Sequence, residues 1–168
     1  MTLRSRAYLF VALLACLAAR PAFAQQYVLG GNASLSSGIA GGGAGKLLLE
    51  RARTRLTLGV DLRVDEFPKD VFLIAAVAEL EPHASFGLDV SYRRRMTPKI
   101  DLEVGGVGFI FPESLIGPEF GASYRLPLSR SLDLMLGPEV DIFVIGSDLP
   151  SGSVVWNVLL KAGIHVDL

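Results

Sequence analysis

SGSVVWNVLLKAGIHVDL, residues 151–168, closes the chain with an alternation that decides how the rest is read. Every even position from Val154 to Leu168 is apolar: Val154, Trp156, Val158, Leu160, Ala162, Ile164, Val166 and Leu168. The odd positions include Asn157, Lys161, Gly163, His165 and Asp167. A period of two belongs to a β-strand, whose successive side chains point to opposite faces. One face of this strand is therefore greasy along its whole length. The fold question is what that face touches.

The same pattern recurs upstream. TRLTLGVDLRV (54–64) sets Leu56, Leu58, Val60, Leu62 and Val64 against Thr57, Gly59, Asp61 and Arg63. ASFGLDVSYRR (84–94) opposes Phe86, Leu88, Val90 and Tyr92 to Ser85, Gly87, Asp89, Ser91 and Arg93. KIDLEVGGVGFIF (99–111) puts Ile100, Leu102 and Val104 opposite Lys99, Asp101 and Glu103. SLDLMLGPEVDIFV (131–144) puts Leu132, Leu134, Leu136, Val140, Ile142 and Val144 opposite Asp133, Glu139 and Asp141. Segments 27–37, 45–51, 70–80 and 116–126 alternate less cleanly. Apolar residues rarely recur at three and four, so no helix is expected. Pro68, Pro82, Pro98, Pro112, Pro127 and Pro150 punctuate the strands at about one strand plus one turn, the rhythm of an antiparallel up-and-down meander. Pro118 and Pro138, each in a Gly-Pro-Glu triplet, fall inside apparent strands. Each is expected to mark a bulge or a strand start, or simply to shorten its strand.

The front of the chain reads as an export signal. Arg4 and Arg6 precede an apolar run from Ala7 to Ala19, too short to span a bilayer as a helix, and Ala22-Phe23-Ala24 is a small-x-small cleavage site. Residues 1–24 are assigned to this leader and 25–168 to one domain. A lipoprotein signal at Cys16 is the weaker reading, because Leu17-Ala18-Ala19 stays apolar after it. Removing the leader takes away Cys16 and three arginines but no acid, leaving 144 residues at a formal charge of −4. Neither a disulfide framework nor thiol chemistry is then expected, and so slight and mixed a charge excludes nucleic acid as a partner.

A sheet with one apolar face can hide it inside a soluble barrel or turn it outward to lipid. The runs are about 10–14 residues long, longer than the usual soluble strand of about 5–6 and enough for a tilted membrane strand of about 9–11. Tyr92, Tyr124 and Trp156 sit near the ends of the apolar face, where an interfacial girdle belongs. The polar face mixes both signs, with Asp61, Arg63, Asp89, Arg93, Asp101 and Glu103 followed by Glu119, Arg125, Asp133, Glu139, Asp141, Lys161 and His165. Such a face can fill a narrow lumen with paired charges. Lipid is the reading these features favour, and the fold class is an all-β, antiparallel up-and-down transmembrane barrel.

Alternation carried to Leu168 resembles the C-terminal strand of small bacterial outer-membrane β-barrels, although that family most often ends in phenylalanine. The resemblance implies an outer-membrane location in a Gram-negative bacterium, short turns on the periplasmic side, contact with outer-membrane lipids, and insertion by the barrel-assembly machinery. Counting back from the end puts 66–69, 96–98 and 128–130 inside, and 81–83, 112–115 and 146–152 outside. The count gives nine strands where the family has an even number. Either GIAGGGAG (38–45) is a kink within one strand, or 51–54 is not a turn, or 25–43 lies outside the wall. Eight strands are expected and ten are the alternative, the protein being monomeric.

No residue is assigned a catalytic, cofactor-binding or metal-ligating role. His165 reads as a hydrogen-bonded lumen filler. His83 and Ser85 have the His-x-Ser spacing of the outer-membrane lipid A deacylases, but Phe86 stands where that family has asparagine, and a polar turn entering a strand is the simpler reading. Asn32-Ala33-Ser34 matches a glycosylation acceptor that has little meaning for a bacterial chain. The glycines of 38–46 lack phosphate-loop spacing, and Arg93-Arg94-Arg95, next to a periplasmic turn, reads as a solvated strand end, with contact to acidic lipid headgroups as the alternative. The expected function is a small barrel with a structural, surface-interaction or minor-transport role and no open pore. The alternatives are a soluble lipocalin-like barrel, with Leu58, Val60, Leu134 and Val158 facing an enclosed apolar cavity, and a lipid A-modifying hydrolase using His83 and Ser85.

Overall fold

A computed structural model describes residues 27–42, 48–51, 54–80, 84–112, 114–147, 149 and 153–168. The leader assigned to 1–24 lies outside them, as does His83. Ten strands follow one another, with no helix among the described residues: β1 (Tyr27–Gly42), β2 (Leu48–Arg51), β3 (Arg55–Val64), β4 (Asp70–Glu79), β5 (Ser85–Thr97), β6 (Ile100–Phe111), β7 (Leu115–Pro127), β8 (Leu132–Phe143), β9 (Ile145–Gly146) and β10 (Val155–Asp167). Eight of them, β1, β3 to β8 and β10, form a closed antiparallel wall. β10 joins β1 in unbroken register from Gly30↔Asp167 to Gly42↔Val155. Closure leaves the wall no unpaired edge, and in hydrocarbon each unpaired backbone group would cost several kcal/mol.

The odd strand is accounted for at the amino end. Both β2 and β3 pair antiparallel with β1, β2 at Ile39–Gly42 and β3 at Tyr27–Ser36. They therefore run in the same direction on one side of β1, which is how nine alternating segments make an eight-stranded wall; residues 52 and 53, on which the 51–54 reading falls, lie outside the described residues. The reading that placed 25–43 outside the wall does not hold, because β1 is a wall strand through Gly42.

Pro138 marks neither a bulge nor a strand end, whereas Pro118 stands beside a one-residue slip: from Ile116↔Ile145 to Glu119↔Asp141, β7 advances three residues and the facing chain of β9 and β8 four. Gly106↔Pro118 lies in uninterrupted β6–β7 register. Across β7–β8 the pairs Gly121↔Glu139 and Tyr124↔Leu136 advance by three residues on each strand, so register survives a local gap in pairing beside Pro138. Proline lacks the N–H that a ladder uses, and the gap absorbs that loss without shifting the strand. Register also shifts in β5–β6, at Phe86/Gly87 and at Arg95/Thr97.

Burial is opposite in sense to that of a soluble domain. Among the described residues, 18 buried side chains are polar or charged and 10 are apolar, whereas charged residues in water-soluble folds are almost never fully buried unless paired. Outward stand Leu58 and Val60 at 53% exposure each, Ile74 at 62% and Leu160 at 68%. Val158 is also exposed, and Leu134 shares its face by alternating with the buried Met135. The lipocalin-like alternative, which needed these side chains in an inner cavity, is thereby overturned. In β10, Asn157, Leu159 and His165 are buried while Val158, Leu160 and Ile164 are exposed. The closing alternation is an inside–outside alternation.

At roughly 3.3 Å per residue and a tilt near 45°, the 12 residues of β6 rise about 28 Å, the thickness of a hydrocarbon core. Aromatics stand on the outer face toward both ends. Tyr27, Tyr124, Phe72 and Tyr92 lie near one end, with the Phe72 and Tyr92 rings 5.4 Å apart, and Phe86 and Phe111 lie near the other. The first end holds Tyr27, Asp167 and the connections β3–β4, β5–β6 and β7–β8. These connections are short. Phe67 donates to the Val64 carbonyl at 2.9 Å, and Thr97 Oγ1 accepts from the amides of Lys99 and Ile100 at 3.3 and 3.0 Å.

Candidate functional site

The lumen is the only place where this sequence concentrates chemistry among its described residues, because the outer face is apolar. Strand alternation alone sends the polar residues there: β5 contributes Asp89, Ser91 and Arg93, β6 Asp101 and Glu103, β8 Glu139 and Asp141. Every polar-face charge expected from the sequence, from Asp61 to His165, lies inside the wall, buried or half-buried.

Nearest the end with the termini, His165 Nε2 lies 3.1 Å from Asp61 and 3.9 Å from Asp167, and its Nδ1 lies 3.8 Å from Asp133. Asn32 donates to the same Asp61 carboxylate. Gly30 makes room for this group, since a Cβ there would stand 2.7 Å from His165 Nε2. Arg125 bridges Asp101 at 2.8 Å and Asp133 at 2.7 Å. Arg95 approaches Asp101 at 3.6 Å, and Arg63 approaches Asp167 at 3.3 Å. His165 thus sits among carboxylates, as the lumen-filler reading expects.

Midway, Arg93 meets Glu103 at 3.3 Å while Ser91 Oγ donates to the other Glu103 oxygen at 2.7 Å. Lys161 reaches Glu139 at 2.5 Å, Glu103 at 3.4 Å and Glu119 at 3.7 Å. Toward the far end, Arg55 meets Asp141 at 2.7 Å, Glu139 at 3.0 Å and Glu79 at 3.4 Å. Its guanidinium carbon lies 5.3 Å from the centre of the Phe109 ring. Above it the inner face turns apolar. Val77, Val107, Phe109, Leu115 and Phe143 form one buried cluster, the two phenyl rings 5.9 Å apart. A cavity of about 20 Å³ remains at mid-height beside Asp89, Arg93, Ser123 and Lys161, room for about one water molecule.

Buried ion pairs offset the desolvation of their charges only when geometry and further hydrogen bonds are good. Here each guanidinium touches at least one carboxylate, which lets an eight-stranded wall close around charged filling. Two features escape sequence reading. Arg55 and Glu79 sit at strand ends, where alternation is weakest. The Phe109–Phe143 cluster sits on the face expected to be polar, and only the parity of Phe143 between Ile142 and Val144 could have signalled it. The carboxylates of Asp89, Glu103 and Glu119, from three strands, come within 4.8 Å of one another, and so do those of Glu119, Glu139 and Asp141. No linear spacing reports such groups.

Of the His-x-Ser pair, Ser85 is buried on the inner face opposite Glu79, away from acyl chains. His83 falls outside the described residues.

No family model matches the chain, and no curated protein matches it in sequence. Among solved structures it is similar to the crystal structure of Neisserial surface protein A, NspA, at 12% identity and a TM-score of 0.50, over 84% of this chain and 97% of that one. A de novo designed transmembrane β-barrel aligns over 84% of this chain and 95% of its own, at 11% identity and a TM-score of 0.47. At such identity the likeness to NspA speaks for the fold, that of an eight-stranded transmembrane barrel.

Proposed function

We propose that the chain is a small integral outer-membrane β-barrel that works as a closed scaffold, carrying surface connections through the bilayer without conducting solutes in bulk. One observation carries this reading: the outer wall is a continuous apolar band while charges fill the axis. An exposed apolar surface of that extent has no place in water. Lumen charges bonded to one another, with an apolar cluster above Arg55, support a filled interior in place of a pore. A role at the cell surface fits the name of NspA, and a non-enzymatic role fits a lumen whose histidine contacts are carboxylates. In this proposal the partners are outer-membrane lipids and, during biogenesis, the barrel-assembly machinery. The barrel is a monomer and residues 1–24 are removed on export.

The test joins fractionation with electrophoresis. The protein should pellet with outer membranes and migrate differently before and after boiling in detergent. Recovery in the soluble periplasmic fraction with unchanged migration would reject the proposal. Planar-bilayer recordings should show no sustained porin-like conductance, and a stable open current from the intact barrel would reject the closed reading.

A further inference from the structure

Gly31 stands in β1 where no turn or bulge calls for glycine. Its partners, Val166 on β10 and Val60 on β3, lie in unbroken register on both sides, and its backbone is outside the left-handed region. Packing does not forbid a side chain either, because a Cβ built there meets nothing within 4 Å. Glycine weakens a strand interior, and away from bulges and bends it marks close approach by a ligand or another backbone. The space above Gly31 is a groove of about 520 Å³ on the outer face. Gly31 and Ala33 form its floor, Leu58 and Val60 one flank, Ile164 and Val166 the other. Leu168 closes the end nearest the termini. Asn32 sends its amide the other way, to Asp61 in the lumen.

We infer that this groove binds one acyl chain of a membrane phospholipid, a lipid that stays with the barrel when bulk lipid is removed. The inference rests on the outer-membrane reading above, which puts the outer face in hydrocarbon. Between protein and lipid tails there is no hydrophobic driving force, so shape decides: a chain binds where it fills space whose lining would otherwise lack partner atoms. A floor of small residues between branched flanks has the cross-section of an unbranched chain. From Leu168 to Ile164 the groove follows β10 for about 13 Å at roughly 3.3 Å per residue, close to the ~15 Å half-thickness of a hydrocarbon core. A second barrel is the poorer occupant. A stable protein interface takes about 20–30 residues a side, whereas nine line this groove. Its outward side chains also offer no polar group to bond across.

The test takes the full-length barrel in detergent micelles, titrates it with dipalmitoyl phosphatidylethanolamine and reads bound lipid by native mass spectrometry. One phospholipid per barrel is expected to survive removal of the micelle. Gly31→Leu and Ala33→Leu fill the floor and should each weaken retention by about tenfold or more, the scale on which one misplaced methylene is felt in an apolar pocket. Gly106→Leu is the control. Gly106 is exposed on β6, four strands round the wall, and a Cβ there has the Gly117 carbonyl oxygen at 3.7 Å as its nearest neighbour. It should leave retention unchanged, and an equal loss there would overturn the inference by making retention a property of the whole wall. Heat-modifiable migration certifies folding of each variant. One arm needs no variant: dihexanoyl phosphatidylethanolamine has the same headgroup on chains too short for the groove, and should displace the bound lipid poorly. Equal displacement would put the hold on the headgroup and overturn the inference. A heat-modifiable wild-type barrel that keeps no phospholipid would overturn it too, while leaving the proposed function standing. So would a two-barrel mass lost in Gly31→Leu, which would give the groove to a second copy.

Discussion

Replacing Arg55 with methionine keeps the length and apolar stem of the side chain and deletes its charge. Arg55 is 2% exposed, and its guanidinium lies within 3.4 Å of Glu79, Glu139 and Asp141, which are themselves buried. Bulk solvent screens none of these contacts appreciably. Removing one partner of a buried pair leaves uncompensated charge and costs about 3–5 kcal/mol, and here three carboxylates lose the same partner. The cost should appear in reversible urea unfolding of the barrel in lipid vesicles. With a slope near 2 kcal/mol per molar, the midpoint should fall by about 1.5–2.5 M. Glu139→Gln in the Arg55→Met background should return part of the loss, with a coupling of about 0.5–3 kcal/mol for groups in one network. A loss below about 1 kcal/mol would refute the claim that Arg55 neutralises the upper lumen, since that is the scale of an exposed pair. Additive single and double variants would refute the network.

Three further substitutions probe other parts of the wall. Val90 is 57% exposed at mid-strand in β5, paired with Ile74 and Gly106, so Val90→Arg should destabilise the folded barrel in vesicles by about 2–4 kcal/mol; a change within about 0.5 kcal/mol, ordinary for a water-facing site, would count against lipid contact. Phe143→Ala opens the apolar cluster at 1% exposure and should cost about 3–5 kcal/mol by the same assay, with no cost at all expected if that cluster were not packed. A Cβ at Gly137 would strike the Ala122 carbonyl oxygen and stand 2.8 Å from Ser123 Cα, so Gly137→Ala should cost about 1–3 kcal/mol, read as a lowered thermal midpoint.

Much of this architecture is legible in residue order because a barrel wall is built from the simplest periodicity a chain can carry. The alternations of 54–64, 84–94, 99–111 and 131–144 all became wall strands with the expected faces, and 154–168 became the strand that closes the wall. Strand 70–80 reads poorly because Val71, Leu73, Ala75 and Val77 make its inner face apolar too, so both faces look alike. The extra strand at 45–51 was countable but its direction was not, since parallel continuation and reversal share one local pattern. Direction is set by pairing with β1, which lies outside any window. The lumen network shows the same division. Alternation says which charges face inward, whereas the meeting of Asp89, Glu103 and Glu119 depends on the register of three strands and the curvature of a closed sheet.

The central claim is that greasy side chains point away from the cylinder and charged ones along its axis, and β10 offers the most direct trial. Cys16 is the chain's one cysteine, so in a Cys16→Ser background single cysteines at positions 157–164 can be labelled without interference. In native membranes, a lipid-soluble maleimide should mark positions 158, 160, 162 and 164 and spare 157, 159, 161 and 163. Equal labelling at every position, or labelling confined to the odd ones, would contradict the account.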